Sequence, residues 1–195
     1  MGGGRIVGIM SSREKKRIQI SGFGKRPGTR VEGGEAGEAL RGALAELSMD
    51  GQLVISLEGL DILSGTFADE AIVRPYSELL AQKGDHRTMI IDSPTEDLTE
   101  DLSRALSAVG LVMIAVVGGK WCVLGVLPPQ LLATLVVIMN RPVLSVKEIA
   151  TELDIKPAAC HRRIGRLADM RLVRLEETGK PAPKTRFTVH SILED

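Results

Sequence analysis

Apolar residues in this chain alternate between helical spacing and short unbroken runs. "RIQISGF" (17–23) and "TRV" (29–31) predict short strands near the start. In "GGEAGEALRGALAEL" (33–47), Leu40, Ala43, Leu44 and Leu47 fall on one helical face. "GQLVISLEGL" (51–60) is a β-branched apolar run that predicts a buried strand. "TFADEAIVRPYSELLAQKG" (66–84) predicts a helix with a kink or restart at Pro75. "RTMIID" (87–92) predicts a strand. "SPTEDLTEDLSRALSAVG" (93–110) predicts a helix capped by Ser93, with proline in its first turn, and "LVMIAVV" (111–117) another buried strand. Helix and strand therefore alternate through 33–117, which predicts an α/β layer whose sheet contains parallel strands.

Gly118–Gly119 and Pro128–Pro129 bound a transition near 120–127, beyond which the pattern changes. "PQLLATLVVIMN" (129–140) predicts an apolar helix stopped at "NRP". In "SVKEIATEL" (145–153), Ser145 and Glu148 have capping-box spacing, with Leu144 and Ile149 placed as a hydrophobic staple. A short turn, "DIK", leads to "PAACHRRIGRLADM" (157–170), whose core face is Cys160, Ile164 and Leu167. Strand, loop and strand follow over 172–190. Helix, helix–turn–helix and hairpin in this order predict an α+β winged helix-turn-helix domain.

Charge sharpens this division. The formal net charge is zero, but residues 1–31 carry +7, residues 32–140 carry −10 and residues 141–195 carry +3; within the last block, residues 156–190 carry +6. Basic segments suit a polyanion, and an acidic body repels and orients the same partner. Aromatics are only 3% of residues, which leaves little for a base-stacking surface. The two cysteines, Cys122 and Cys160, lack metal-ligand spacing, and nothing demands an oxidising compartment. Adjacent helical residues point about 100° apart, so Cys160 and His161 do not share a metal. "WCVLGVLPPQLLATLVVIMN" is uncharged over twenty residues, but two prolines interrupt it, and a cytoplasmic protein is the better expectation. No dinucleotide, P-loop, zincin or nucleophile-elbow motif occurs, and the three histidines are scattered, so neither an enzyme nor a cofactor is expected.

"LSVKEIATELDIKPAACHRRIGRLADMRLV" resembles the winged-helix transcription regulators of bacteria and archaea, notably the multiple-antibiotic-resistance and arsenical-resistance types. The resemblance covers about residues 128–190. It departs at Asp154 and Arg171, where the family favours glycine. It implies that the second helix of the pair enters the major groove of double-stranded DNA. The residues this puts at DNA are Pro157, Ala158, His161, Arg162 and Arg166, with His161 and Arg162 at base edges. Lys156 and Arg166, with Lys180, Lys184 and Arg186 of the wing, fall to phosphates. Arg163 lies nearer the buried flank, as a bridge between helices.

"VISLEGLDILSGTFADE", with "GTRVEGGEAGEAL" upstream, resembles the STAS-like domain family of bacteria, and more distantly the STAS fold of sulfate transporters and anti-sigma-factor antagonists. The resemblance covers about residues 18–117 and implies helices packed on a mixed sheet. The antagonists carry a phospho-acceptor serine in the loop before this helix. Here that loop holds Ser64 and Thr66, without the antagonists' motif, and helix capping is the competing role.

These readings combine into a basic arm (1–17), a STAS-like α/β domain (18–120) and a winged helix-turn-helix domain (128–195). The expected function is a DNA-binding transcription regulator, a homodimer with a sensory or dimerising STAS-like body. The alternative is a non-enzymatic interaction subunit that docks on a kinase-like ATPase or larger complex through the body and uses the winged helix as a protein contact. Duplex RNA is a third, weaker reading.

Overall fold

A computed structural model describes residues 13–141, 143–178 and 186–193. Most of the expected basic arm lies outside them, but Lys15, Lys16 and Arg17 belong to the first strand, β1 (Lys15–Gln19). The body then runs α1 (Arg30–Glu46), β2 (Gln52–Ser56), α2 (Gly65–Ala68), a π-helical turn (Asp69–Val73), α3 (Arg74–Ala81), β3 (Thr88–Ser93), α4 (Asp97–Ala108), β4 (Val112–Val117) and β5 (Lys120–Gly125).

The sheet order is β1-β2-β3-β4-β5, with β1 to β4 parallel and β5 antiparallel to β4. This is the mixed sheet expected. Each parallel crossover steps one strand in the same direction, and right-handed crossovers of that kind put every helix on one face. Strand pleating sends alternate residues to opposite faces. Leu53, Ile55, Met89, Ile91, Met113 and Ala115 share one core with Leu40, Phe67, Leu79 and Leu102 of the helices.

The opposite face carries Ile90, Val112 and Ile114, and the C-terminal elements cover it. These are α5 (Pro129–Met139), β6 (Val143–Ser145), α6 (Val146–Glu152), α7 (Pro157–Asp169), β7 (Val173–Thr178) and β8 (Arg186–Ser191). Leu131, Leu135, Ile138, Ile149, Ile164 and Leu167 join those sheet residues in a second core. A sheet buried on both faces explains the unbroken apolar runs of β2, β3 and β4.

Several elements differ from expectation. "TRV" is not a strand: Thr29 caps α1, and Thr29 and Glu32 form a reciprocal capping box. Ser93 does not cap α4; it ends β3 and its hydroxyl donates to Thr95 O at 2.8 Å, while the helix starts after Glu96. At Pro75 the helix restarts as expected, but without a break. The preceding turn widens instead, with Arg74 N–H donating to Asp69 O, five residues back. This widening relieves the clash that a proline ring makes with the carbonyl four residues earlier. Gly37 lets α1 approach this turn, since a Cβ there would lie 2.8 Å from Glu70 O. The sequence pattern predicts neither β5 nor β6. The uncharged segment around the two prolines divides between β5 and α5, and among the described residues no helix is long and apolar enough to cross a membrane.

Candidate nucleic-acid interface

The helix–turn–helix forms for local reasons. Ser145 and Glu148 complete their capping box, and the hydrogen bonds from Ser145 hold the Glu148 carboxyl below the usual carboxylate range. Leu144 and Ile149 are both buried beside it. Asp154 takes a left-handed φ of +50° in the turn, where the resembling family has glycine. Pro157 opens α7 with its φ pre-set for a helix.

Cys160, Ile164 and Leu167 face the core. The Cys160 thiol is pushed up in pKa by burial and donates weakly to Val146 O at 3.5 Å. Lys156, Pro157, Ala158, His161, Arg162 and Arg166 are all exposed. Arg163 turns inward and donates to Gln130 O of α5 at 3.5 Å, the bridge expected of it. His161 is less free than its exposure suggests: its ring meets Phe187 of β8 edge-on, with centroids 6.4 Å apart, so it ties α7 to the wing. Lys180 and Lys184 lie outside the described residues; Arg186 opens β8, and its side chain is likewise outside them.

The charges of α7 differ in kind from those of the body. Arg17, Arg26, Arg41, Arg74, Arg87 and Arg104 each pair with a carboxylate. Among the described residues, no carboxylate lies within ion-pair distance of Lys156, Arg162 or Arg166. Three cations are thus exposed and unneutralised on one helix and its N-cap. An arrangement of this kind suits a polyanion.

The body grips the opposite end of α7. Arg171, buried and at φ +56°, donates to Asp85 Oδ1 (3.1 Å), Arg87 O (2.9 Å), Leu79 O (2.9 Å) and Gln82 O (3.1 Å). Burial pushes the Asp85 carboxyl up, but hydrogen bonds from Arg87 and Arg171 outweigh it and hold the group below its usual range. The Tyr76 hydroxyl lies 2.9 Å from both Val112 O and Met170 O, and donates to one of them at a time. Gln52 Nε2 donates to Ile192 O at 2.7 Å. Beside these contacts lies a cavity of about 910 Å³, lined in part by Lys83, Asp85, His86, Asp169, Arg171 and Arg174. Arg13 borders this region; burial and the Arg174 guanidinium push its pKa down to about 10. Sequence patterning had no means of finding Arg171, Arg174 or Arg13, whose partners lie far along the chain; the one signal was an arginine where the resembling family has glycine.

Residues 124–182 match the model of the MarR family. The match starts in the last residues of β5 and leaves the rest of the α/β body outside it. It supports a C-terminal MarR-type winged helix and, at a coarse level, a DNA-binding transcription regulator. No curated protein and no solved structure matches the chain.

Ser64 and Thr66 lie elsewhere, on the helix-bearing side of the body. Ser64 caps α2: its hydroxyl accepts from Phe67 N–H at 3.3 Å and donates to Gly28 O at 3.3 Å. Thr66 is exposed. Among the described residues, no group of three His, Cys, Asp or Glu side chains could hold a metal ion.

Proposed function

We propose that this protein is a homodimeric transcription regulator that inserts the N-terminal half of α7 into the major groove of DNA. The observation that carries the reading is the set of exposed, unpaired cations Lys156, Arg162 and Arg166 on α7 and its N-cap. Arg162 reads a base edge, where a guanidinium can pair bidentately with guanine. His161 orients the wing against α7 through Phe187 and lies beside Arg162 at the groove. Pro157 and Ala158 are small enough to let the helix end approach the bases. Lys156 and Arg166, with Lys180, Lys184 and Arg186 of the wing, hold phosphates and set the register.

The α/β body acts as a STAS-like sensory and dimerising module. Its resemblance over "VISLEGLDILSGTFADE" supports this, and so does its rigid hold on the C-terminal end of α7. With that end fixed by Arg171 and Tyr76, a change in the body moves the DNA-reading end as one piece.

Selection of bound duplexes from a random pool tests the reading. The expected product is a site with two half-sites about one helical turn apart. Arg162→Ala is expected to relax the preference at one position per half-site. Recovery of unselected sequence by wild type, or an unchanged preference in the variant, counts against α7 as the reader.

A further inference from the structure

The two edges of the five-stranded sheet are built differently. β1 closes one side with Lys15, Lys16 and Arg17, charges of the kind that keep edge strands from pairing. β5 closes the other with Trp121, Cys122, Val123 and Leu124, all uncharged. Val117 and Lys120 flank the two-residue turn between β4 and β5, and Cys122 and Leu124 stand opposite Ala115 and Met113. In such a hairpin the flanking residues form a hydrogen-bonded pair and the pairing alternates from there. Lys120, Cys122 and Leu124 therefore turn their backbone groups to β4, and Trp121, Val123 and Gly125 turn theirs outward. Gly125 is already engaged: its N–H donates to the Ser103 hydroxyl at 3.0 Å, and its φ of +90° bends the chain away. Trp121 and Val123 are left as the open positions of the edge.

We propose that this edge pairs with the same edge of a second copy, antiparallel about a two-fold axis at Cys122, to make one continuous sheet. The proposal deepens the dimer in the DNA-binding reading and rests on that reading for its purpose. In this register Trp121 of each copy faces Val123 of the other, so the outward N–H and C=O groups of both residues find partners. Moving the axis to Val123 would bring Gly125 into the ladder, where its N–H is taken. The charges agree with the chosen register. Lys120 comes opposite Leu124 of the other copy, and Leu124 lines a groove of about 700 Å³ together with Glu100 and Ser103 of α4. The groove also holds Glu96 and Arg104, and Arg104 already pairs with Glu100 at 3.1 Å, so the Lys120 ammonium meets two carboxylates against one guanidinium. Val126, directly after β5, and Leu132 and Val136 of α5 are exposed and add uncharged surface on the other side of the sheet. A two-fold axis through an antiparallel strand pair stands perpendicular to the sheet. Both winged helices consequently lie on the same face, as a shared duplex requires.

Light scattering and thiol oxidation test this on the full chain. The two Cys122 residues would form a non-hydrogen-bonded pair with Cα atoms about 4.5 Å apart, within disulfide reach. Cys160 is buried. Wild type is expected at twice the chain mass of 21.0 kDa. Diamide, which takes up the two thiol hydrogens as the S–S bond forms, is expected to link dimers in wild type and Cys160→Ser but not in Cys122→Ser. Lys120→Glu should weaken association roughly tenfold, and adding Glu100→Lys should restore it. A monomer at every concentration overturns the proposal. So does a dimer that neither links through Cys122 nor responds to Lys120→Glu. A monomer that still binds duplex would leave the DNA reading standing, and a Cys122-linked dimer that binds none would remove that reading alone.

Discussion

Arg171 holds the buried carboxylate of Asp85, Nη1 to Oδ1 at 3.1 Å, across the seam between the α/β body and the winged helix. Arg87 shares the same carboxylate, with Nη2 2.5 Å from Oδ2. Removing Asp85 would leave two guanidiniums facing each other in a buried site. Asp85→Ala is expected to destabilise the fold by about 3–5 kcal/mol in urea unfolding. A loss below ~1 kcal/mol would mean the seam does not depend on this pair.

Arg171 also sits in a conformation that disfavours side chains, at φ +56°. Its four hydrogen bonds outweigh that strain. Once they are gone the strain remains, so Arg171→Ala and Arg171→Gly should differ. Both lose the clamp, but the glycine variant is expected to be more stable by about 1 kcal/mol. Equal midpoints in denaturant would contradict a strained position.

Ser64 has a structural duty that can be separated from phosphorylation. Ser64→Ala should cost about 1 kcal/mol, because Phe67 N–H loses its acceptor, whereas Ser64→Asp keeps an acceptor and should stay within a few tenths of wild type. Urea midpoints of the two variants check this. An alanine variant as stable as wild type would remove the capping role.

His190 makes the winged helix sensitive to acid. Burial lowers its pKa, the Arg174 guanidinium adds to that, and Glu176, 3.2 Å away, opposes it. A lowered pKa means the unfolded chain takes up the proton more readily than the fold does. The contribution of neutral His190 is therefore whole above the usual histidine value of about 6.5 and is lost as the pH falls through its folded value. The melting temperature should drop as the pH falls below about 6.5, and His190→Gln should flatten that slope. An identical slope in the variant would place the sensitivity elsewhere.

The fold was legible where local physics decides it. The runs expected as strands at 51–60, 87–92 and 111–117 contain the buried parallel strands β2, β3 and β4, and the spacing of Cys160, Ile164 and Leu167 matches the inward face of α7. The capping box at Ser145 is legible in the sequence, whereas the β-branched character of "TRV" hides the equivalent box at Thr29. β5 is hidden in the sequence because it lies between two glycines and two prolines, which mark a turn and a break as readily as the ends of a strand. The exposure of His161, Arg162 and Arg166 follows from helical spacing alone. Their lack of acid partners does not, since it depends on what the rest of the chain brings near them.

The most direct test of α7 as a DNA reader is fluorescence anisotropy on a labelled duplex across a salt series, with wild type and Arg162→Ala/Arg166→Ala side by side. Contact with about six phosphates gives a log–log slope near −5. Wild type is expected to show that steep fall, with binding largely lost in a double variant that melts like wild type. A folded wild-type protein that leaves the duplex free at low salt would contradict the account.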